Sequence, residues 1–361
     1  MFNSGYVNFK STLPYIPNSE EAIRQFISKY KSIEAKSPTS LPGIERLRRL
    51  ESARVKGTSS WLLNLIKNIV YNMPFMNDLH PFYRELIDVI INVNEYKHSL
   101  GKLINSSRAI SSISRDALRM IKVAQDKDEI IKARKMYFSR IIDLINDLEP
   151  ELASLKEAAI KMSKLPSISV EKPTIVVSGM PNTGKSSLVA CVSTKKPEIA
   201  DYPFTTKQII IGHVKEYGMY AVQVIDTPGL LDRPLSERNK IELQAILALR
   251  HLADSIVFMI DPTPHSGYTL NQQLNLLKEI SQSFKANIIA VINKVDLATD
   301  DEIKNAEESL RSLGYSYRLT SALKCSGTRE LIDELINGPL KDKLITYLRV
   351  THERALGAEL K

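Results

Sequence analysis

The segment Gly179–Ser186, with the sequence GMPNTGKS, has the spacing of glycine, lysine and hydroxyl residues that a phosphate-binding loop requires. It follows an apolar stretch typical of a strand, TIVVS, and opens a stretch typical of a helix, SSLVACVST. Glycines let backbone N–H groups turn inward around phosphates at the positive end of a helix. We expect Lys185 to reach the terminal phosphates and the Ser186 hydroxyl to bind Mg²⁺. The alternative is an accidental glycine-rich turn, and the strand and helix on either side argue against it.

A second motif, D-T-P-G at Asp226–Gly229, follows the strand-like stretch YAVQVI. A carboxylate at a strand end can hold Mg²⁺ through water, and the Gly229 N–H can sense a γ-phosphate. A pair of threonines, Thr205 and Thr206, lies between this motif and the phosphate loop. A threonine there can close over Mg²⁺ with its hydroxyl and over the γ-phosphate with its backbone. The alternative is an exposed threonine pair that enters a strand.

A third motif, N-K-V-D at Asn293–Asp296, predicts the base that is bound. The Asp296 carboxylate can accept hydrogen bonds from the N1–H and N2–H₂ groups of guanine, and adenine lacks this pair of donors. A wrong base leaves the carboxylate unpaired, at a cost of roughly several kcal/mol. Ser321 and Ala322 follow the next strand-like stretch, and the Ala322 N–H can reach the guanine oxygen. The ordered series of motifs is far more specific than any member, and it predicts GTP rather than ATP.

The first 170 residues have the 3.6-residue apolar period of helices and no sustained alternation. We expect Gly57, Thr58 and Ser59 to interrupt a helix, and a helix that starts at Pro81 to run to about Ile104. Another helix is expected at about 106–124. In a long pattern over about 127–163, Pro150 either kinks the helix or begins a new one. This half of the chain is predicted to be a helical bundle.

Beyond a linker at 166–169, short Ile- and Val-rich strands alternate with helices. Strands are predicted at 174–178, 208–214, 220–225, 255–260, 287–292 and 315–320. This alternation indicates a doubly wound, mainly parallel sheet. We therefore predict an all-α helical bundle at 1–168, an α/β P-loop G domain at 169–337 and a C-terminal helix at 338–361.

The positive charge of the chain lies in its first half. Residues 1–172 carry 27 Lys and Arg against 19 Asp and Glu, whereas residues 173–361 carry 22 of each. A basic half beside a neutral half suggests a polyanionic partner such as RNA, and the alternative for each residue is a solvated helix face. The basic groups singled out as RNA contacts are Arg46, Arg48 and Arg49; Arg108, Arg115, Arg119 and Lys122; and Lys132, Arg134 and Lys135.

The remaining composition points to a cytoplasmic setting. The two cysteines, Cys191 and Cys325, are too few for a disulfide framework, and we expect both to be reduced packing residues. No apolar run approaches the roughly 18 residues of a membrane span. The N-terminal sequence lacks the basic and apolar segments of a secretory signal. We expect a cytoplasmic, monomeric protein without a membrane partner.

Two stretches, 196–214 and 226–274, resemble the nucleolar GTP-binding protein (Nog) family, a branch of the Obg-like GTPases, in a short, archaeal-type form. The resemblance implies a helical bundle before the G domain, with Mg²⁺ coordinated by Ser186 and Thr206. It implies a first switch at 204–208 and a second at about 226–239. It also implies a role in assembly of the large ribosomal subunit, with ribosomal RNA and the subunit precursor as partners.

The motifs and the resemblance together assign three sets of site residues. Residues expected to contact GTP are Gly179, Met180, Pro181, Asn182, Thr183, Gly184, Lys185, Ser186, Ser187, Phe204, Thr205, Thr206, Asp226, Thr227, Pro228, Gly229, Asn293, Lys294, Asp296, Ser321, Ala322 and Leu323. Catalytic roles are expected for Asn182, Lys185, Thr206 and Gly229. Metal ligands are expected to be Ser186, Thr206 and Asp226 for Mg²⁺, with Asn182 for K⁺.

Hydrolysis is expected to be slow because Leu230 stands where many GTPases place a water-orienting Gln. Asn182 can offer its amide oxygen to a K⁺ ion that bridges the phosphates, or it can serve only the tight turn of the loop. The ribosome is the other candidate activator. We expect a GTPase switch in assembly of the large subunit. The alternatives are an RNA-binding placeholder with negligible hydrolysis, and an Obg-like GTPase in tRNA modification or stress signalling.

Overall fold

The computed structural model describes residues 8–35, 41–203, 208–216 and 218–359, with side chains as far as residue 355. The chain divides into two compact units. The helical unit takes Phe9–Phe75 and Ile91–Ser163, and the sheet unit takes Met76–Ile90 and the chain from Lys164 onward. Seven helices precede the sheet in the described chain: α1 (Phe9–Thr12), α2 (Ser19–Ser32), α3 (Gly43–Asn72), α4 (Pro81–Ile90), α5 (Val93–Val123), α6 (Lys127–Asp147) and α7 (Glu149–Met162).

Helix α3 runs without a break through Gly57, Thr58 and Ser59, so the predicted interruption there is wrong. Gly57 is needed for packing, because a Cβ at this position would lie 2.5 Å from Ile33 Cδ1. The hydroxyls of Thr58 and Ser59 each lie 2.8 Å from the buried Tyr137 hydroxyl. Their polar groups are therefore satisfied inside the helical unit instead of competing with the helix backbone.

The helix that starts at Pro81 is shorter than predicted. It ends at Ile90, and α5 begins at Val93 because Asn92 caps it, accepting hydrogen bonds from the N–H groups of Asn94 and Glu95. The separate helix predicted at 106–124 is the second half of α5. Helix α4 belongs to the sheet unit, although the sequence analysis assigned it to the helical region.

The long helical pattern at 127–163 is two helices. Helix α6 ends at Asp147, and Pro150 lies in the first turn of α7. Proline is tolerated there because the first N–H groups of a helix have no intrahelical partner. Of the two readings that the sequence left open, the structure shows the new helix rather than the kink.

The sheet unit is built on a seven-stranded, mostly parallel sheet, which confirms the predicted fold class. Its strands are β1 (Thr174–Ser178), β2 (Glu198–Ala200), β3 (Ile209–Glu216), β4 (Met219–Asp226), β5 (Ser255–Ile260), β6 (Asn287–Ile292) and β7 (Tyr317–Leu319). The strand order is β2-β3-β4-β1-β5-β6-β7, and only the pairs β2–β3 and β3–β4 are antiparallel among the described strands. Strand β2 was not predicted; it is a short edge strand with an exposed Ile199.

Besides α4, the described part of the sheet unit has six helices: α8 (Lys185–Val192), α9 (Lys240–Ala248), α10 (Leu270–Ser283), α11 (Asp300–Ser312), α12 (Thr328–Asn337) and α13 (Lys341–Glu359). Strands β1, β4, β5 and β6 run in parallel, so their carboxyl ends meet at one edge of the sheet. Ligands of open α/β sheets bind in the crevice outside these ends. The described helices include none that is long and apolar enough to span a membrane.

Candidate nucleotide-binding site

The phosphate loop connects β1 to α8 and has the strained backbone that its glycines permit. Gly179 and Gly184 have φ values of 136° and 98°, in the left-handed region that favours glycine. A Cβ at Gly179 would collide with the carbonyl oxygen of Met259, and one at Gly184 would collide with the Asn293 amide nitrogen. Both glycines are therefore required for close approach as well as for the turn.

Three other loop residues have different surroundings. Lys185 is buried, and its Nζ donates to the carbonyl oxygens of Gly179 at 2.9 Å and Met180 at 2.8 Å, so the ammonium is held across the loop. Thr183 is also buried and donates its hydroxyl to Met180 O. Asn182 has a φ of 63°, a conformation that Asn tolerates better than most residues, which accounts for Asn at this turn by geometry alone.

A cleft of about 450 Å³ brings three of the predicted motifs together. Its walls come from the phosphate loop, the D-T-P-G segment, and the segments at 293–297 and 321–325, which we call the two guanine loops because the sequence predicts guanine binding there. The lining residues are Pro181, Asn182, Gly184, Lys185, Ser186, Ser187, Pro228, Asp232, Asn293, Lys294, Asp296, Leu297, Ser321, Ala322 and Leu323. Two of them, Asp232 and Leu297, were not predicted. The first-switch residues Phe204, Thr205 and Thr206 lie outside the described residues.

One end of the site presents oxygen atoms suited to Mg²⁺. The Ser186 hydroxyl donates to Asp226 Oδ2 at 2.5 Å, and Asp226 is completely buried at the end of β4. Asp226 Oδ1 has no hydrogen-bond partner among the described residues. Burial raises the pKa of Asp226, and the nearby negative charge of Asp232 raises it further. A buried carboxylate oxygen without a partner, beside a serine hydroxyl, is a donor set that fits a hard divalent cation.

The other end is organised by Asn293, which joins the phosphate loop to the guanine loop. Its Nδ2 donates to Thr183 O at 2.9 Å, and its Oδ1 accepts from the Ala322 N–H at 2.8 Å and from the Thr320 hydroxyl at 3.1 Å. The Ala322 N–H therefore donates to Asn293 here, whereas the sequence analysis directed it at the guanine oxygen. Asn293 acts as a positioning residue that ties the two loops together.

Asp296 supplies the carboxylate of the guanine end. A hydrogen bond from Ser321 lowers the pKa of Asp296, with a further contribution from the nearby Lys324 ammonium. Lys324 Nζ lies 3.5 Å from Asp296 Oδ2. Leu297 and Leu323 line the same end and are 65% and 78% exposed, which leaves apolar surface available to a base. Leu297 could have been found from its place directly after the N-K-V-D motif.

A further residue missed at the sequence level is Asp261, which follows β5. It is buried, and its Oδ2 lies 2.6 Å from Lys294 Nζ. Its Oδ1 accepts from the N–H of Thr263 at 2.9 Å and from the hydroxyl of the same residue at 2.8 Å. Asp261 thus fixes the lysine of the N-K-V-D motif, whose own φ is 61°. The available signal was an Asp at the end of a strongly apolar strand.

The segment after Gly229 is held by an internal ion pair. Asp232 Oδ2 accepts the Gly229 N–H at 2.7 Å, and Arg238 donates to Asp232 Oδ1 at 3.2 Å and to Leu230 O at 2.9 Å. The side chains of Asp232 and Arg238 are almost entirely buried. Leu230 and Leu231 point into the core, with exposures of 1% and 0%. Asp232 is the first acidic residue after D-T-P-G, and that position was a usable signal.

The two cysteines are paired, contrary to the prediction made from the sequence. Cys191 on α8 and Cys325 on the guanine loop are joined by a disulfide, so they are not reduced packing residues in this structure. The sequence separation of 134 residues gave no sign that they would meet. The bond connects the helix of the phosphate loop to the loop that follows Ser321.

The basic residues predicted to contact RNA fall into two classes. Arg48 donates to the carbonyl oxygens of Ile121 and Ala124 at 2.9 Å each, and also to that of Lys122, so it caps the end of α5. Arg134 lies 3.8 Å from the buried Glu51 carboxylate. The others are exposed and form no ion pair with another described residue: Arg46, Arg49, Arg108, Arg115, Arg119, Lys122, Lys132 and Lys135.

The fold and the site define a P-loop G domain of the GTPase class, joined to a helical unit. A family model described as the NOG1 N-terminal helical domain matches residues 9–169, and one described as nucleolar GTP-binding protein 1 matches residues 240–296. The chain belongs to the nucleolar GTP-binding protein 1 family, which confirms the resemblance seen in the sequence.

Three relatives illustrate the relationship. An uncharacterised protein of Methanocaldococcus jannaschii is 38% identical over 264 residues, which cover 73% of this chain and 74% of that protein. Nucleolar GTP-binding protein 1 of Saccharomyces cerevisiae is 32% identical over 281 residues, covering 77% and 43% of the two chains. The Eremothecium gossypii protein of the same name is 28% identical over 353 residues, covering 94% and 54%. The chain thus spans about half the length of the relatives that carry this name.

Proposed function

We propose that the chain binds GTP together with Mg²⁺ and hydrolyses it slowly to GDP and phosphate. The observation that carries the proposal is the single cleft in which the phosphate loop, the D-T-P-G segment and the carboxylate of Asp296 converge. Its length runs from the loop amides to a carboxylate whose charged form is stabilised by Ser321. That arrangement matches a triphosphate at one end and the donor edge of guanine at the other.

Ser186 and Asp226 are the described residues that would hold Mg²⁺, which when bound neutralises charge on the β- and γ-phosphates. Lys185, already fixed across the loop by two carbonyls, would exchange them for phosphate oxygens. In hydrolysis a water oxygen bonds to the γ-phosphorus while the bond to the bridging oxygen breaks, leaving GDP. Leu230 is buried and cannot orient that water, so a slow intrinsic rate is expected.

The direct test is a titration with a fluorescent GDP in the presence of Mg²⁺, followed by competition with GTP and ATP. Displacement by GTP at concentrations at least about a hundredfold below ATP is expected, because only guanine pairs with a carboxylate through two donors. Equal displacement by ATP would contradict the proposal. Hydrolysis is then measured in K⁺ and in Na⁺ at equal ionic strength, with Asn182→Ala as the matched variant. A rate equal in both salts would exclude the K⁺ role of Asn182.

We further propose that the partner of the helical unit is ribosomal RNA in the precursor of the large subunit, and that the protein acts in the cytoplasm. The support is the exposed cationic face of α5. Arg108, Arg115 and Arg119 are spaced by seven and four residues, so they share one face of the helix, and Lys122 extends it. Arg108, Arg115 and Arg119 form no ion pair with another described residue, so their guanidinium groups are available to phosphates.

Binding is tested by cosedimentation with large ribosomal subunits in a non-hydrolysable GTP analogue and in GDP. Replacing Arg108, Arg115 and Arg119 by Gln is expected to weaken binding and to reduce the slope against log salt by roughly 0.7–0.9 per lost contact. A control with the same charge change replaces Arg24, Arg140 and Lys161, each within ion-pair distance of a carboxylate. An equal loss in both variants would contradict a specific face.

The nucleotide dependence separates the switch from its alternatives. Binding only with the GTP analogue supports a switch, and binding in both states supports an RNA-binding placeholder with negligible hydrolysis. The burial of Leu230 favours this second candidate as the state of the isolated protein. Binding to tRNA and not to subunits would contradict the ribosomal proposal and favour the role in tRNA modification.

A further inference from the structure

The main-chain N–H of Gly229 is already occupied by a carboxylate from the same chain. The sequence motif assigns this amide to the γ-phosphate, yet it donates to Asp232 Oδ2 at 2.7 Å. Asp232 also lines the nucleotide cleft. An anionic oxygen therefore stands where the motif calls for a phosphate oxygen.

The same carboxylate is held on its other side. Arg238 donates to Asp232 Oδ1 and to Leu230 O, and its side chain is 3% exposed. Leu231 O is fixed separately, because it accepts from the Gly179 N–H at 3.2 Å and from the Ser178 hydroxyl at 2.9 Å. The segment is thus anchored to the phosphate loop at Leu231, and Asp232 is joined to the arginine that precedes α9.

A γ-phosphate and Asp232 cannot share the Gly229 amide. The N–H carries one hydrogen, and a terminal phosphate carries close to two negative charges at neutral pH, so the carboxylate is repelled as well as displaced. GDP has no γ-phosphate and leaves the Gly229–Asp232 bond intact. When Asp232 is displaced, Arg238 loses one of its two acceptors. The next residue, Asn239, caps α9 by accepting the Glu242 N–H at 2.8 Å.

We infer that Asp232 is an internal competitor of the γ-phosphate for the Gly229 amide, and that it is a specificity-determining residue that favours GDP over GTP. When the γ-phosphate replaces Asp232 on this amide, the change is passed to Arg238 and to the start of α9. This inference rests on the proposed binding of guanine nucleotides. Asp232 sets the GTP-to-GDP affinity ratio and takes no part in bond breaking.

The test measures the affinities of Asp232→Asn and Asp232→Ala for GDP and for a non-hydrolysable GTP analogue, with Mg²⁺. Both variants lose the negative charge, and the Asn variant keeps an oxygen for the Gly229 amide should the Ala variant fold poorly. The ratio of the affinity for the analogue to the affinity for GDP is expected to be about tenfold higher in the variants than in the wild type, because a charge-assisted competitor has been removed. Glu308→Ala, which removes an exposed carboxylate on α11, is expected to keep the wild-type ratio.

An unchanged or lowered ratio, with GDP still bound, would overturn the inference and leave guanine-nucleotide binding standing. Failure of the wild-type protein to bind GDP would overturn both the inference and the proposed binding of guanine nucleotides. Single-turnover hydrolysis at saturating GTP supplies a second readout. If the rate constant falls by more than about tenfold while the affinity ratio is unchanged, Asp232 acts on the attacking water and is not a competitor.

Discussion

The replacement of Asp296 by Asn is the sharpest test of how the cleft selects its base. An Asp carboxylate offers two acceptor oxygens to the N1–H and N2–H₂ donors of guanine. Asn offers one acceptor and one donor, so its NH₂ group would oppose the guanine NH₂. Xanthine carries a carbonyl oxygen in place of that NH₂ group, and it therefore matches Asn at both positions. The variant is expected to lose GTP and to gain xanthosine triphosphate.

The size of the effect follows from the number and kind of bonds lost. Hydrogen bonds to a charged group contribute roughly 1.5–3 kcal/mol each. The loss of two such bonds corresponds to roughly 3–6 kcal/mol, or a factor of about 10² to 10⁴ in affinity. The upper part of this range applies where the carboxylate is shielded, and the Asp296 side chain is only 9% exposed. Ser321 lowers the pKa of Asp296, so the carboxylate is charged throughout the neutral range.

The assay is competition of GTP and xanthosine triphosphate against a fluorescent GDP for the wild type, and against a fluorescent xanthine nucleotide for the variant. Glu308→Gln serves as the matched amide control, because this exposed carboxylate lies on α11 outside the nucleotide motifs. A loss of GTP affinity below about threefold would refute the assignment of Asp296 to the base. Loss of GTP without any gain for xanthosine triphosphate would indicate a disturbed loop instead of an exchanged hydrogen-bonding pattern.

Three further predictions concern the stability of the two units and the pairing of the cysteines. Asp226→Asn is expected to raise the free energy of unfolding of the nucleotide-free protein by about 1–3 kcal/mol while weakening Mg²⁺-dependent nucleotide binding, because a buried charge is removed. Burial raises the folded-state pKa of Asp226 above its ordinary 3.8. In denaturant titrations the gain in the free energy of unfolding should therefore be present at neutral pH and vanish as acid protonates the wild-type carboxyl. A gain that is unchanged at low pH would contradict this. Arg48→Ala is expected to lower the free energy of unfolding by about 1–3 kcal/mol, because three carbonyl groups at the end of α5 lose their cap. The control Arg49→Ala, at an exposed position, should change it by less than about 0.5 kcal/mol. Equal effects of the two variants in chemical denaturation would refute the capping role. Thiol titration in denaturant should find no reactive thiol before reduction and two after it, and two thiols at the outset would show that Cys191 and Cys325 are not bonded.

Sequence patterns predicted the structure correctly wherever residues adjacent in the sequence determine it. The apolar run at 174–178, the glycines of the phosphate loop and the period of α6 each depend on a few adjacent residues, and each is found where it was predicted. The errors fall where distant residues decide. Gly57 was taken as a helix break, but it allows a close contact with Ile33, the residue that follows α2. Helix α4 was assigned to the helical region, but its contacts are those of the sheet unit.

The amino-acid sequence by itself determined the class of protein and the phosphate loop, and it predicted the choice of guanine, because those properties require particular residue types at fixed spacings. Only the tertiary structure decided which donors and acceptors are already paired. The bond of Asp232 to the Gly229 amide, that of Arg48 to the end of α5 and that of Asn293 between two loops all depend on atoms that folding brings within 2.9 Å. A hydrogen bond forms only at short range and in a narrow geometry, so residue spacing in the sequence can identify a donor but cannot show which acceptor it contacts.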